Sequence, residues 1–250
     1  MRHGGEPDSR SSLSRRLLPR LEVRGLRRDD LVRRMNEYYS RRAPWHDAFM
    51  GYRDNAAMES LLEPIIRWFE GSIKGADVLE VACGTGNWTQ VLARRAKSVT
   101  ATDVNGSVLD MAAQKDYASG AVRFQMADGY TLDGITGVYS AAFAADWWSH
   151  MPKSKIPEFL RAVCSRLLHG SRVIIVDMLP ARNLTYLGTY RDEEGNLIHP
   201  RKLPTGEEFE VVKNFPTERD LVDSVAGFGR DIEYRTHDQL RRWVLMFSTR

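Results

Sequence analysis

The chain has 250 residues, 42% of them apolar and 28% charged, with a net charge of +3. That length suits one large domain with a substantial core, and the apolar fraction is too high for a disordered chain. No run reaches the roughly 18 apolar residues of a membrane span, and the opening MRHGGEPDSRSS has no apolar segment of the secretory kind. Two cysteines, Cys83 and Cys164, make neither a disulfide framework nor a four-thiolate metal site, so a reducing, cytoplasmic setting is expected.

The small net charge hides an asymmetry. Residues 1–42 hold 12 Arg and 6 acidic residues, whereas the remainder holds 24 basic and 27 acidic residues. Such a basic front end suits a polyanion or an extension outside the working core. Residues 1–25 show little periodicity and are read as flexible. From Asp29 to Met50, Leu31, Val32, Met35, Tyr38 and Tyr39 recur at spacings of three and four, which predicts a helix capped by Asp29 or Asp30. That apolar face offers a homodimer contact. A second helix is predicted over Asn55 to Phe69, kinked at Pro64.

From Ala76 the pattern alternates. Strands are predicted at Val78 to Ala82, Ser98 to Thr102, Ala121 to Met126, Gly137 to Ala144 and Arg172 to Met178. Helices are predicted at 88–96, Val108 to Tyr117 and Ile156 to Leu168. Short apolar runs between helices indicate a parallel sheet covered on both faces, here an open, doubly wound α/β sheet. After Pro180 two turn signals punctuate alternating residues 186–213, which reads as an inserted β-ribbon. A helix over 217–227, with Thr217 as N-cap, and strands at Ile232 to Thr236 and Trp243 to Phe247 complete the chain.

The strongest chemical signal is Glu80-Val81-Ala82-Cys83-Gly84-Thr85-Gly86, where a buried strand enters a two-glycine turn and then a helix. Glycines there permit a close backbone approach to a ligand. Asp103 ends the next strand, near the distance at which a carboxylate meets ribose hydroxyls in a nucleotide-binding βαβ unit. A dinucleotide fingerprint would place a third glycine where Thr89 stands. The carboxylate of Glu80 beside the turn suits an ammonium group better than a phosphate.

This pattern resembles class I S-adenosylmethionine-dependent methyltransferases of the small-molecule type, over about Tyr38 to Pro216. The resemblance implies a seven-stranded, mostly parallel Rossmann-like sheet with an N-terminal helical cap and an inserted ribbon lid. It divides the chain into a basic extension (1–28), a cap (29–72) and a methyltransferase domain (73–250) with the lid at about 182–215. It implies S-adenosylmethionine as cofactor, with S-adenosylhomocysteine as product. The cofactor residues it implies are Glu80, Ala82, Gly84, Thr85 and Gly86 in the turn, Asp103 and Val104 at the ribose, and Asp128 and Gly129 at the adenine. Ala144, Asp146 and Trp147 would lie near the methionine part, and Tyr38 and Tyr39 would close over it.

Two adjacent tryptophans cannot both face one core from a regular element, so Trp148 is read as an acceptor contact. His150, just past the fourth strand, is the candidate base, because an ordinary imidazole titrates near ~6.5. It is equally readable as a group that only orients the acceptor. Tyr186, Tyr190 and Phe209 of the ribbon would shape an apolar acceptor pocket. The other histidines are scattered, so no metal is expected. The expected reaction is methyl transfer to O, N or C of a small, partly apolar acceptor such as a natural-product intermediate. A cyclase on the same fold is the alternative. Nucleic-acid methylation is disfavoured: Ala144-Ala145-Asp146-Trp147 replaces the Asn/Asp-Pro-Pro-aromatic segment of that class, and the body of the chain is acidic. No membrane partner is expected.

Overall fold

The computed structural model describes residues 28–49, 54–117, 121–181 and 188–250. The arginine-rich start, apart from its last turn into the first helix, and Tyr186 lie outside the described residues.

Helix α1 spans Arg28–Arg42, with Asp29 and Asp30 in its first turn and Arg41 and Arg42 in its last. That arrangement complements the helix dipole. The single helix expected to Met50 is broken. Pro44 disfavours helical geometry at the residue before it, and the chain passes through a 3-10 turn at Ala43–Trp45 into a short helix, α2, at His46–Phe49. Helix α3 (Asn55–Ile73) is capped by Asp54, whose carboxylate accepts from the Ala57 N–H at 2.8 Å, and it continues through Pro64.

The central sheet comprises β1 (Asp77–Val81), β2 (Ser98–Asp103), β3 (Ala121–Met126), β4 (Tyr139–Ala145), β5 (Leu167–Met178), β9 (Gly229–His237) and β10 (Arg242–Thr249). Its order is β3-β2-β1-β4-β5-β10-β9. The first five strands are parallel, and β10 runs antiparallel to β5 and β9. Helices α4 (Asn87–Ala93), α5 (Gly106–Ala113), α6 (Ile156–Cys164) and α7 (Glu218–Val225) complete the layers. Helix α6 stops at Cys164 and β5 begins at Leu167, so the segment expected to finish a helix instead lengthens a strand.

The period of two along each strand divides the core. Val78, Ala141, Ile174, Val244 and Met246 pack on one face with Leu62, Ile65, Ile66 and Phe69 of α3. Leu79, Ala142, Val173, Leu245 and Phe247 pack on the other with Phe159, Leu160 and Val163 of α6 and Leu221 and Val225 of α7. Helix α3 is thus a structural layer of the sheet rather than part of a cap.

A second sheet, β6 (Tyr190–Arg191), β7 (Leu197–Lys202) and β8 (Glu208–Val212), is the expected antiparallel ribbon. Leu31, Met35 and Tyr38 of α1 pack against Ile198, Phe209, Val211 and Val212. The apolar face read as a dimer contact is therefore spent on the ribbon of the same chain.

Candidate active site

The strand order turns back between β1 and β4, and open α/β sheets place ligands at such a switch point, beyond the carboxyl ends of the strands. A cavity of about 140 Å³ lies there. Glu80 and Ala82, Asp103 and Val104, Ala127 to Tyr130, and Ala145 to Trp147 line it from the ends of β1 to β4. Asn36, Tyr39, Ala43 and His46 line it from α1 and α2, and His150 closes one side. Ala82 and Asp146, following β1 and β4, both adopt left-handed backbone (φ 56° and 55°). Such conformations cost about 1–3 kcal/mol and collect at functional sites.

One end of the cavity is acidic. Glu80 is buried, and its Oε2 accepts from Thr89 Oγ1 at 2.6 Å. Burial pushes the Glu80 carboxyl up to about 8, against the Thr89 hydrogen bond and reinforced by Asp103. Asp103 accepts from the Gly84 N–H at 3.0 Å and the Asn105 N–H at 2.9 Å, and burial outweighs these in raising it above the ordinary range. Asp128 accepts from the Tyr130 N–H at 2.8 Å.

The two turn glycines serve different ends. A Cβ on Gly84 would meet nothing within 4 Å, so its backbone is open to the cavity. A Cβ on Gly86 would lie 2.5 Å from Tyr117 Oη and 3.1 Å from Ala112 Cβ, so this glycine permits close packing on α5 and does not line the cavity.

Asp146 and His150 bound the other side. Asp146 forms a buried ion pair with Arg242 of β10 and accepts from Trp88 Nε1 at 3.4 Å. Burial alone would raise the Asp146 carboxyl, but Arg242 holds it below the ordinary range. His150 sits in a 3-10 turn at Trp148–His150, with Nδ1 2.7 Å from the Val212 carbonyl oxygen. Tyr39 Oη stands 3.0 Å from both ring nitrogens of His150. Burial, then Lys213, holds the imidazole well below its usual pKa. Lys213 Nζ donates to Ser149 Oγ at 2.7 Å and lies 3.4 Å from His150 Nε2 and 3.8 Å from Asp177 Oδ1. Burial pushes Lys213 down and Asp177 up, and their attraction opposes both shifts.

Helix α2 is latched to the glycine turn. Asp47 Oδ1 accepts from Thr85 Oγ1 and Asn87 Nδ2, both at 2.7 Å, and Asp47 Oδ2 accepts from Lys115 Nζ at 2.8 Å. Burial opposes ionisation of Asp47, but these donors leave its pKa below the ordinary value.

The structure brings Tyr39, Glu80, Ala82, Gly84, Thr85, Asp103, Val104, Asp128, Gly129, Asp146, Trp147 and His150 to one cavity. Tyr38 does not reach it, because its ring packs at 5.5 Å from Phe209 in the α1–ribbon interface. Trp148 is buried against Phe159 and Trp243, so the core takes this tryptophan and the cavity takes Trp147. Ala144 is buried in the sheet, and its neighbour Ala145 supplies the wall. Tyr190 donates to Glu210 on the ribbon, away from the cavity. Asn36, His46, Asp47, Tyr130, Lys213 and Arg242 carry no motif that distinguishes them in the sequence. Among the described residues, no three His, Cys, Asp or Glu side chains gather as a metal site would require, and no helix is long and apolar enough to cross a membrane.

Residues 78–170 match the family model described as a methyltransferase domain. Among solved structures, the DhpI–SAM–HEP complex is 28% identical, with 88% of this chain and 97% of that one covered and a TM-score of 0.68. The DhpI–SAH complex is 27% identical, with 86% and 95% covered and a TM-score of 0.66. The chain carries an S-adenosylmethionine-dependent methyltransferase domain. Magnesium protoporphyrin IX methyltransferase (ChlM) from Synechocystis PCC 6803, with bound SAH, shares the fold at 16% identity, with 78% and 86% covered and a TM-score of 0.54. A search of the curated proteins returned no match.

The cavity of this methyltransferase fits S-adenosylmethionine chemically. The cofactor presents an ammonium, a sulfonium, ribose hydroxyls and an adenine amino group, all electropositive or hydrogen-bond donating. The carboxyl groups of Glu80, Asp103 and Asp128 line the one cavity, and acceptors of that kind suit such groups.

Proposed function

We propose that this methyltransferase acts on a hydroxyl or amine of a small organic acceptor, with His150 taking the proton. The observation that carries the reading is the 2.7 Å contact of His150 Nδ1 with the Val212 carbonyl oxygen, which selects the tautomer. The Val212 carbonyl only accepts, so Nδ1 keeps its hydrogen and Nε2 keeps its lone pair. The lowered pKa keeps the ring neutral, hence able to accept a proton, near pH 7. A group in this state within hydrogen-bond reach of the nucleophile meets the geometric requirement for a general base.

A small acceptor follows from access. His150 is only 8% exposed and is covered by Tyr39 of α1 and by the ribbon. Such cover suits a small acceptor better than a polymer.

The cofactor supplies an electrophilic methyl group on a positively charged sulfur. On the donor side, Glu80 is assigned to the ammonium, Asp103 and Val104 to the ribose, and Asp128 and Gly129 to the adenine. The exposed backbone of Ala82 to Thr85 lies between them, and Asp146 and Trp147 face the methionine portion. The aromatic face of Trp147 suits a neighbouring cation. Holding donor and nucleophile in line supplies up to about 7–11 kcal/mol of the barrier reduction.

Incubation with methyl-labelled cofactor and candidate alcohols and amines, read by mass spectrometry, tests this reading. The expected product is heavier than the acceptor by one methyl group, and an isomeric product would show a cyclase instead. His150→Gln should lower kcat by about 10²–10⁴-fold while leaving S-adenosylhomocysteine affinity unchanged. Unaltered turnover in that variant overturns the role of His150.

A further inference from the structure

The turn that carries His150 is clamped by the segment that leaves the ribbon: Val212 at the end of β8, then Lys213 and Asn214. The Val212 carbonyl accepts from His150 Nδ1 at 2.7 Å. The Asn214 N–H donates to the Ser149 carbonyl at 2.7 Å, and Asn214 Nδ2 donates to the Met151 carbonyl at 3.0 Å. Lys213 lies between these contacts. Its Nζ donates to Ser149 Oγ at 2.7 Å and stands 3.4 Å from His150 Nε2. Asp177, near the end of β5, closes the network. It accepts from the Ser149 N–H at 2.8 Å and from Ser149 Oγ at 3.0 Å, and its Oδ1 lies 3.8 Å from Lys213 Nζ. Ser149, His150, Asp177 and Lys213 are all buried. His150 lines the cavity and Lys213 and Asp177 do not, so the pair meets the imidazole rather than a ligand.

We propose that Lys213 is a positioning residue of the methyl-transfer site: locked by Ser149 and Asp177, its ammonium stands beside His150 Nε2 and sets how readily the ring takes the acceptor's proton. The inference rests on His150 serving as the base, and it adds the group that governs that base. An ammonium within about 4 Å of a ring nitrogen disfavours the imidazolium. The lowered pKa of the ring agrees, with burial acting first and Lys213 next. Asp177 keeps Lys213 charged at its buried position, because an ammonium taken out of water without a carboxylate partner gives up its proton. A buried ion pair adds little net stability over apolar side chains of similar size. The consequence of this pair therefore lies in its charge beside the base.

The charged and titratable groups that bear on His150 are Tyr39 and Arg42 from α1, Arg201 from β7, and Lys213 with Asp177 behind it. After burial itself Lys213 weighs most, and its contact with Nε2 shows why. The network also prepares for the proton. Once protonated, Nε2 accepts no hydrogen bond, so the ammonium of Lys213 must turn its N–H elsewhere. Asp177 is the carboxylate within reach. Lys213 thus yields Nε2 to the incoming proton, and Asp177 offsets the charge that the ring gains.

The test uses the full chain, isotope-labelled at its six histidines and saturated with S-adenosylhomocysteine. The ring signal of His150, identified by its loss in His150→Gln, is followed against pH by nuclear magnetic resonance. In the native protein it should titrate below the ordinary value near ~6.5. In Lys213→Met the midpoint should rise by about 1–3 pH units. That variant leaves Asp177 without its partner, so Lys213→Met combined with Asp177→Asn, which removes both charges, should show a rise of the same sign. S-adenosylhomocysteine affinity, measured first, should be equal in all three proteins and shows that each is folded. A merely structural Lys213 would alter stability and leave the midpoint in place. A midpoint that is equal or lower in both variants, or a ring that stays neutral down to about pH 4 in all three proteins, overturns the proposal. The titration needs no acceptor and so stands apart from the base reading, which a normal rate in His150→Gln would overturn whatever the midpoint does.

Discussion

Glu80 makes a prediction that can be worked through in numbers. Burial raises its carboxyl to about 8, so near pH 7 the ligand-free protein holds it mostly protonated. The proposed partner is the ammonium of the cofactor, and a charge pair needs the carboxylate. Bringing the pKa back to the ordinary carboxylate range on binding would release about 0.9 proton at pH 7. Below pH 8 the affinity for S-adenosylhomocysteine should then rise by up to about tenfold per pH unit, since one pKa unit is worth about 1.4 kcal/mol. Calorimetry in two buffers of different ionisation enthalpy counts the protons directly. Glu80→Gln should bind more weakly, release no proton from this site and lose most of the pH dependence. Binding that is pH-independent in the native protein, or proton release that persists undiminished in Glu80→Gln, refutes the argument. The sign extends to stability. A carboxyl whose folded pKa lies above its unfolded value destabilises the fold as pH rises from about 4.5 to about 8. Glu80→Gln should therefore raise the melting temperature of the ligand-free protein at pH 9 and have little effect at pH 4.

The remaining predictions follow from close contacts. A Cβ on Gly129 would lie 2.8 Å from Trp147 Cη2 and 3.1 Å from Val81 Cγ1, so Gly129→Ala must displace the tryptophan from the cavity wall. The expected cost is about 1–3 kcal/mol of stability, with weaker S-adenosylhomocysteine binding by calorimetry. Unchanged values in both would mean that the wall yields freely. Asp47→Ala removes the acceptor shared by Thr85, Asn87 and Lys115, and should loosen α2 from the glycine turn. Hydrogen exchange should accelerate over residues 46–49 and the cofactor dissociation rate should rise. Exchange identical to the native protein would show that α2 is held otherwise.

The proposed donor half of the site is legible because its residues are local in sequence. Glu80, Gly84 and Thr85 lie within one strand-to-helix connection, and Asp103 and Asp128 mark the ends of the next strands. A parallel sheet aligns those ends, so strand order alone brings the acids together. The finer errors have physical causes. Gly86 shares a motif with Gly84, yet the contact that demands it comes from Tyr117 and Ala112 rather than from a ligand. Ala144 and Trp148 each sit one residue from a cavity-lining neighbour, and the bend at Asp146 decides which of each pair faces inward. No spacing rule encodes that bend. The break of the first helix at Pro44 was readable, but the sustained apolar periodicity before it suggested a longer helix.

The acceptor half was illegible for a different reason. Its groups come from positions far apart: Tyr39 meets His150 across 111 residues, and Val212 meets His150 across 62. Each alone is an ordinary residue on a helix, a turn or a ribbon edge. What assembles them is the burial of Leu31, Met35 and Tyr38 against Phe209 and Val211, a packing contact with no chemical motif. The same separation explains how the two halves can change independently. Replacing side chains on α1 and the ribbon alters what surrounds His150, while the acids at the ends of β1 to β3 stay in place because the sheet holds them. Acceptor selectivity should therefore respond to ribbon substitutions that leave cofactor affinity untouched.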